Sequence, residues 1–236
     1  MRPLSCLLLV ATLLASSRSA APAGAARPIL VELFTSQGCS SCPPADALLG
    51  ELARRDDVLP LAFHVDYWDR LGWKDPYSSA AATQRQRAYA RQLDSATVYT
   101  PQMVVDGRTD VVGSYRNQVL GAIDQARAAA AVAVPVELAA QADGLRVRIG
   151  GGPALRPATL WLVGFDRHHV TQIGAGENGG RSLAEWNIVR GFEPLGDWQG
   201  TPVETNVPAV KLAGYERVAV VLQEAGGRVL GAALAQ

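Results

Sequence analysis

Two kinds of periodicity meet at Cys39-Ser40-Ser41-Cys42-Pro43-Pro44. Before it, Ile29 to Phe34 is an apolar run broken only by Glu32, of a length that suits a buried central strand. After it, Ala45, Leu48, Leu49 and Leu52 fall at i, i+3, i+4 and i+7, one face of a helix. A strand that turns into a helix through two cysteines three apart restricts the chain to an α/β arrangement. It also brings the thiols together, because residues three apart in a helical turn face the same way and lie within reach of a disulfide.

The rest of the cysteine usage sharpens this. The chain has 3 cysteines, and the third, Cys6, lies in an N-terminal stretch that has the marks of a signal peptide. Arg2 supplies a basic start, Leu7 to Leu14 a short apolar core, and small-residue cleavage patterns end at Ala20 and Ala25. Residues 1–25 are therefore expected to be removed on export, giving a periplasmic or secreted protein whose two remaining cysteines are the adjacent pair. One such pair closes too small a loop to act as a structural staple. Redox or metal chemistry is the better account, with an inert pair as the third reading. A metal site needs more ligands than the pair offers locally. The third ligand for a Cu(I) site would be His64.

Charge excludes some partners. The leader carries Arg2 and Arg18 of the 22 basic residues and none of the 22 acidic ones, so the mature chain is close to neutral. Nothing in that balance attracts nucleic acid or an anionic membrane, and no other apolar run approaches a membrane span.

In chain order, Leu59 to Val65 reads as a second strand. The stretch from Asp66 to Tyr77 holds Tyr67, Trp68 and Trp73 and reads as a satellite core rather than a rim over the cysteines. Ser78 or Ser79 caps a helix running to about Leu93. Thr100-Pro101 precedes a strand over Gln102 to Val105, and Asp106-Gly107 turns it into Thr109 to Gly113, a strong hairpin signal. Asn117 to Val132 is an alanine-rich helix.

The chemistry at the cysteines depends on where the first helix starts. If Cys39 begins it, the helix dipole favours the Cys39 thiolate. Pro43-Pro44 argues instead for regular helix only from about Pro43, since prolines deeper in a first turn remove its hydrogen bonds. Ser40 and Ser41 then offer hydroxyl donors to a thiolate. In either case Cys39 attacks a partner disulfide and Cys42 resolves the mixed disulfide. Glu32 sits in a run that is apolar on both parities, so it is expected to be partly buried, with a raised pKa, and to accept the Cys42 proton. On that reading Glu32→Gln slows resolution with little loss of fold.

The order strand, helix, strand, helix, strand, strand, helix resembles a minimal thioredoxin fold. Phe34-Thr35-Ser36-Gln37-Gly38-Cys39-Ser40-Ser41-Cys42-Pro43-Pro44-Ala45-Asp46, His64-Val65-Asp66-Tyr67-Trp68-Asp69 and Tyr99-Thr100-Pro101-Gln102-Met103-Val104-Val105-Asp106-Gly107 resemble one exported thioredoxin-like family more closely. It is catalogued as domain of unknown function 1223. The resemblance implies a cis Thr100–Pro101 bond beside the cysteines, with Thr100 and Pro101 binding a substrate peptide in strand-like pairing. It also implies a buried acid in the first strand, the position of Glu32.

From Pro135 the texture changes to short strands and turns: Val136 to Ala140, Leu145 to Ile149, Leu160 to Phe165, and a hairpin of Val218 to Leu222 with Arg228 to Leu234 across Gly226-Gly227. Gly174-Ala175-Gly176-Glu177-Asn178-Gly179 matches a dinucleotide fingerprint in letters, but no strand–helix context surrounds it, so a loop is expected. Ser182 to Val189 reads as at most a short helix, and Gly191 to Pro202 as turns. His168-His169 reads as surface, and this half carries no chemistry that its residues name.

The expected architecture is an α/β thioredoxin-like domain (βαβαββα) over residues 27–133, then a smaller, mostly-β, sandwich-like domain over 134–236. The expected function is exchange of disulfides with protein thiols or disulfides through Cys39 and Cys42, with Glu32 assisting and no cofactor or metal required. The alternatives are a Cu(I) metallochaperone using the same cysteines and a non-catalytic protein-binding module.

Overall fold

The structure, a computed structural model, describes residues 27–130, 133–153 and 156–235. The expected leader and Cys6 lie outside the described residues. The order is β1 Ile29–Thr35, α1 Pro43–Leu52, β2 Val58–His64, a 3-10 turn Asp69–Leu71, α2 Ala80–Gln92, β3 Gln102–Val105, β4 Thr109–Val112 and α3 Arg116–Ala129. Then come β5 Val136–Gln141, β6 Gly144–Ile149, β7 Ala158–Gln172, β8 Ser182–Trp198, β9 Val203–Pro208, α4 Ala209–Leu212, β10 Arg217–Glu224 and β11 Val229–Leu234. The result is a mixed α/β protein with one large sheet, β11-β10-β7-β8-β2-β1-β3-β4, and a small one, β5-β6-β9.

β1 is buried at all 7 of its positions because helices cover both sheet faces. Ile29, Val31 and Leu33 pack with Ala45, Leu48, Leu49 and Leu52 of α1 and with Val119 and Ile123 of α3. Leu30 and Phe34, of the other parity, pack with Leu59, Leu61 and Phe63 of β2 and with Ala82 and Tyr89 of α2. β2 runs parallel to β1 with Phe63 beside Phe34 and His64 beside Thr35, so aligned residues share a face. Thr35 and His64 therefore lie on the α1 side, and Glu32 on the α2 side.

The small sheet packs against the far half of the large one. Leu145, Val147, Ile149 and Val207 meet Leu160, Leu162, Val218, Val220, Leu222 and Trp198 in a separate core. Ala62 of β2 bridges to Ile188 of β8, which joins the two halves of the chain in one sheet.

β8 corrects the sequence reading. Ser182 to Val189 is not helical and Gly191 to Pro202 is not a run of turns; together they contain one 17-residue strand. It pairs antiparallel with β7 from Ala158↔Trp198 to Gln172↔Ser182. Register shifts at Leu160/Trp161 and Gly164/Phe165 absorb its irregular composition. The glycines mark a close approach rather than a turn: a Cβ on Gly164 would lie 2.2 Å from the Tyr215 ring, and one on Gly191 1.9 Å from its hydroxyl oxygen.

The Asp106-Gly107 hairpin turn abuts the β10–β11 turn of the other half. Arg27 pairs with Asp106 through 2.7 Å contacts to both carboxylate oxygens. Gly107 has φ +67°, and a Cβ there would sit 1.7 Å from the Gly227 carbonyl oxygen. Gly107→Ala is expected to cost more than about 1 kcal/mol. That is a fall in Tm of about 3 °C or more by calorimetry for a chain of this size; an unchanged Tm would refute the close approach.

Candidate active site

Cys39 and Cys42 form a disulfide with a Cα–Cα distance of 5.5 Å. The helix begins at Pro43: Cys42 is the N-cap, and the two prolines take the first positions, where the missing N–H groups would have had no partner in the helix. Cys39 stands one turn before it, its amide donating to the Ser36 carbonyl at 3.1 Å. The positive end of the helix thus meets Cys42 rather than Cys39. Both cysteines are 0% exposed, so they are not distinguished by accessibility.

Ser41 Oγ lies 3.3 Å from Cys39 Sγ and donates to the Thr100 carbonyl at 3.4 Å. The Thr100–Pro101 peptide is cis. The turn before β3 therefore lies directly against the cysteine turn. The Trp68 indole N–H donates to Thr100 Oγ1 at 2.8 Å, and the Trp73 indole to Gln37 Oε1 at 2.9 Å. The aromatic insert is thus wall as well as core, since Tyr67 and Trp68 also pack on the α2-side cluster.

The loop with the misleading glycine pattern is the tip of the β7–β8 hairpin, and it reaches this same turn. Glu177 accepts from the Ser40 amide at 3.0 Å. Asn178, fully buried, donates to the Gln37 and Cys39 carbonyls, each at 2.9 Å. The second half of the chain, in which the sequence showed no chemistry, therefore contacts the cysteine turn. The loop's residue letters carry no signal of that; only the length of the hairpin puts it there.

Glu32 is buried as expected, at 1% exposure, but it faces α2, whereas α1 packs on the opposite side of the sheet. One of its oxygens accepts from Arg85 Nε at 2.5 Å and the other from the Tyr89 hydroxyl. Gln223 joins them through the Tyr89 hydroxyl at 2.7 Å. Strand parity sets this: Glu32 shares the face of Leu30 and Phe34 and alternates with Val31 and Leu33.

The polar groups on the α1 face are different ones. Asp46, 5% exposed, accepts from Thr35 Oγ1 at 2.8 Å. Burial, with Glu185 adding to it, pushes its carboxyl up to about 7, against the opposing pull of His64. His64 Nδ1 is 2.7 Å from Asp75 Oδ2, and its Nε2 is 3.8 Å from Glu185. Burial alone would lower the imidazole, but the Asp75 charge and hydrogen bond, with Glu185 and Asp46, raise it to about 9. Asp75 is held below the usual carboxylate range: its burial is outweighed by His64 and by the amides of Gln37 and Tyr77. Burial raises Glu185, whose Oε2 accepts from Gln37 Nε2 at 2.7 Å.

Sequence reasoning missed this cluster. One signal was present: Asp46 stands four residues after Cys42 and three before Leu49, an acid on the apolar side of its helix. Asp75 and Glu185 come from distant segments and gave none. Among the described residues, no group of three or more His, Cys, Asp and Glu is arranged to hold a metal. His168 is exposed against Trp186, and His169 is half-buried, 2.9 Å from Asp166. The Gly174–Gly179 loop joins antiparallel strands with no helix, the wrong setting for a dinucleotide.

Comparison with known proteins adds a family and two similar solved structures. The chain is similar to the crystal structure of protein AGR_C_4864 from Agrobacterium tumefaciens, with 34% identity, a TM-score of 0.78, and coverage of 90% of this chain and 95% of that one. It shares a fold with HBP35 of Porphyromonas gingivalis at 16% identity and a TM-score of 0.55, covering 89% of this chain and 74% of that one. No curated protein matches. The family described as "Protein of unknown function (DUF1223)" matches residues 30–223, and the chain belongs to it.

Proposed function

We propose that this protein is an exported thiol–disulfide oxidoreductase that exchanges disulfides with protein partners through Cys39 and Cys42. The observation that carries the reading is the junction itself. A bonded cysteine pair sits between a buried strand and its helix, with the Thr100 carbonyl against it through Ser41. The β1-α1-β2-α2-β3-β4-α3 order and the β2-β1-β3-β4 strand sequence support a thioredoxin-like arrangement of the first half. In it Cys39 is the attacking thiol, Cys42 the resolving one, and the Thr100–Pro101 turn the place where a partner's backbone pairs. Export is inferred from the leader. No helix among the described residues is long and apolar enough to cross a membrane.

Both cysteines are buried in the disulfide form, so a partner gains access only when the groups around the turn move apart. Trapping tests the reading. The Cys42→Ser variant, expressed with its leader, is expected to accumulate protein-sized mixed disulfides through Cys39 that dissolve in dithiothreitol on a non-reducing gel. Adding Cys39→Ser should abolish them. Absence of adducts, together with no turnover of a disulfide substrate such as insulin by the wild type, would sink the oxidoreductase reading.

A further inference from the structure

We propose that Asp46 is the proton acceptor for the Cys42 thiol when the mixed disulfide is resolved. The inference rests on the oxidoreductase reading and gives to Asp46 the part that the sequence suggested for Glu32. Cys42 caps α1 and Asp46 follows it by four residues, the spacing at which side chains on a helix are neighbours. The Asp46 amide donates to the Cys42 carbonyl at 3.1 Å, which fixes the first turn that carries both. Both residues are buried, and Asp46 meets Thr35 on the α1 face of the sheet. Thr35 Oγ1 occupies one Asp46 oxygen at 2.8 Å, and no hydrogen bond among the described residues engages the other. Glu32 offers neither condition, since both of its oxygens are bonded on the opposite face.

The step balances as follows. With Cys39 joined to a partner sulfur, the Cys42 thiol gives its proton to the Asp46 carboxylate. The Cys42 sulfur attacks Cys39 Sγ, the Cys39–Cys42 bond forms, and the Cys39–partner bond breaks. The partner sulfur leaves as a thiolate with the electron pair of the broken bond, so that over the two attacks the partner disulfide is reduced by two electrons and the protein dithiol oxidised to the disulfide; Asp46 then returns its proton to solvent.

The charged groups that face Asp46 are His64 from β2, Asp75 from the aromatic insert and Glu185 from β8; β1 contributes only Thr35. The two carboxylates make a further negative charge beside Cys42 unfavourable, while the imidazolium limits that effect. With burial they set the Asp46 carboxyl at about 7, where it is able both to take and to release a proton.

The test uses reduced full-length protein and excess Ellman's reagent. Attack by Cys39 releases a first nitrothiobenzoate, and resolution by Cys42 releases a second, both read at one wavelength. Asp46→Asn is expected to leave the first release within about twofold and to slow the second by at least about 10-fold near pH 8, the low end of general-base effects. The wild-type second phase should rise with a midpoint near the Asp46 value of about 7, and the variant should lose that midpoint. Asp46→Glu, which keeps an acid, should recover part of the rate. A second release in Asp46→Asn with unchanged rate and pH profile overturns the proposal. Absence of the first release in the wild type counts instead against the oxidoreductase reading, and a normal first phase in the variant shows that its cysteine turn is intact.

Discussion

Glu32→Gln is expected to lower the unfolding free energy by about 3 kcal/mol, measured by urea denaturation as a lower midpoint at unchanged m-value. Arg85 Nε lies 2.5 Å from Glu32, and the two side chains are 9% and 1% exposed. Gln keeps the shape of the site but leaves the guanidinium buried without its counter-charge, and such uncompensated charges are costly. The Arg85 Cζ also lies 4.3 Å from the Phe192 ring centroid and 5.0 Å from that of Tyr89, ring contacts that replace only part of the lost counter-charge. Removing both charges together, as Glu32→Gln with Arg85→Met, should recover a substantial part of the loss. A single variant within about 1 kcal/mol of wild type would show that the pair contributes little. The second nitrothiobenzoate release should slow far less in Glu32→Gln than in Asp46→Asn, because the Glu32 carboxyl faces away from α1.

Stability is expected to fall by up to about 3 kcal/mol as pH rises from 6.5 to 9, and His64 accounts for it. The folded imidazole titrates at about 9 against 6.5 for the free side chain. Between those values the folded state holds a proton that the unfolded state has lost. The stabilisation is complete below 6.5 and disappears as pH passes 9. Asp46 acts in the same direction at lower pH: raised from 3.8 to about 7, it favours the folded state most when protonated. Asp75 opposes both at the acid end, because a depressed carboxyl loses its contribution as pH falls through its folded value. Unfolding curves at pH 6, 7.5 and 9 test this. His64→Gln should be less stable at pH 6 and should flatten the decline between pH 6.5 and 9. An equal slope in the two proteins would exclude His64 as its source.

Local chemistry made much of the first half legible. Five apolar residues around Glu32, a proline pair, a helical spacing after Cys42, a serine cap and Asp106-Gly107 are short-range signals. The elements they imply are present within a few residues, Ser79 Oγ accepting the Ala82 amide as a cap at 3.1 Å included. β8 was illegible for the opposite reason. Gly191, Pro194 and Gly196 are turn residues by propensity, but Tyr215 and the bulged partner β7 supply a setting in which a strand tolerates them. Glu32 was half legible. Its burial follows from apolar neighbours on both parities, whereas the face it points to depends on which helix covers which side.

What the sequence by itself determined, then, is the presence and local frame of the cysteine pair: its strand, its helix beginning at Pro43 and its proline turn before β3. Those follow from residue type and spacing over a few neighbours. What only the tertiary structure decided is the chemistry around the pair. Asp46, His64, Asp75 and Glu185 lie on four segments, and their protonation is set by shared burial and mutual charge rather than by any residue's own nature. The contact of Glu177 and Asn178 with the cysteine turn likewise exists because a long hairpin from the second half joins the sheet beside β2 and carries its tip to Ser40. Contacts between groups more than a hundred residues apart depend on chain topology, and no local pattern encodes them.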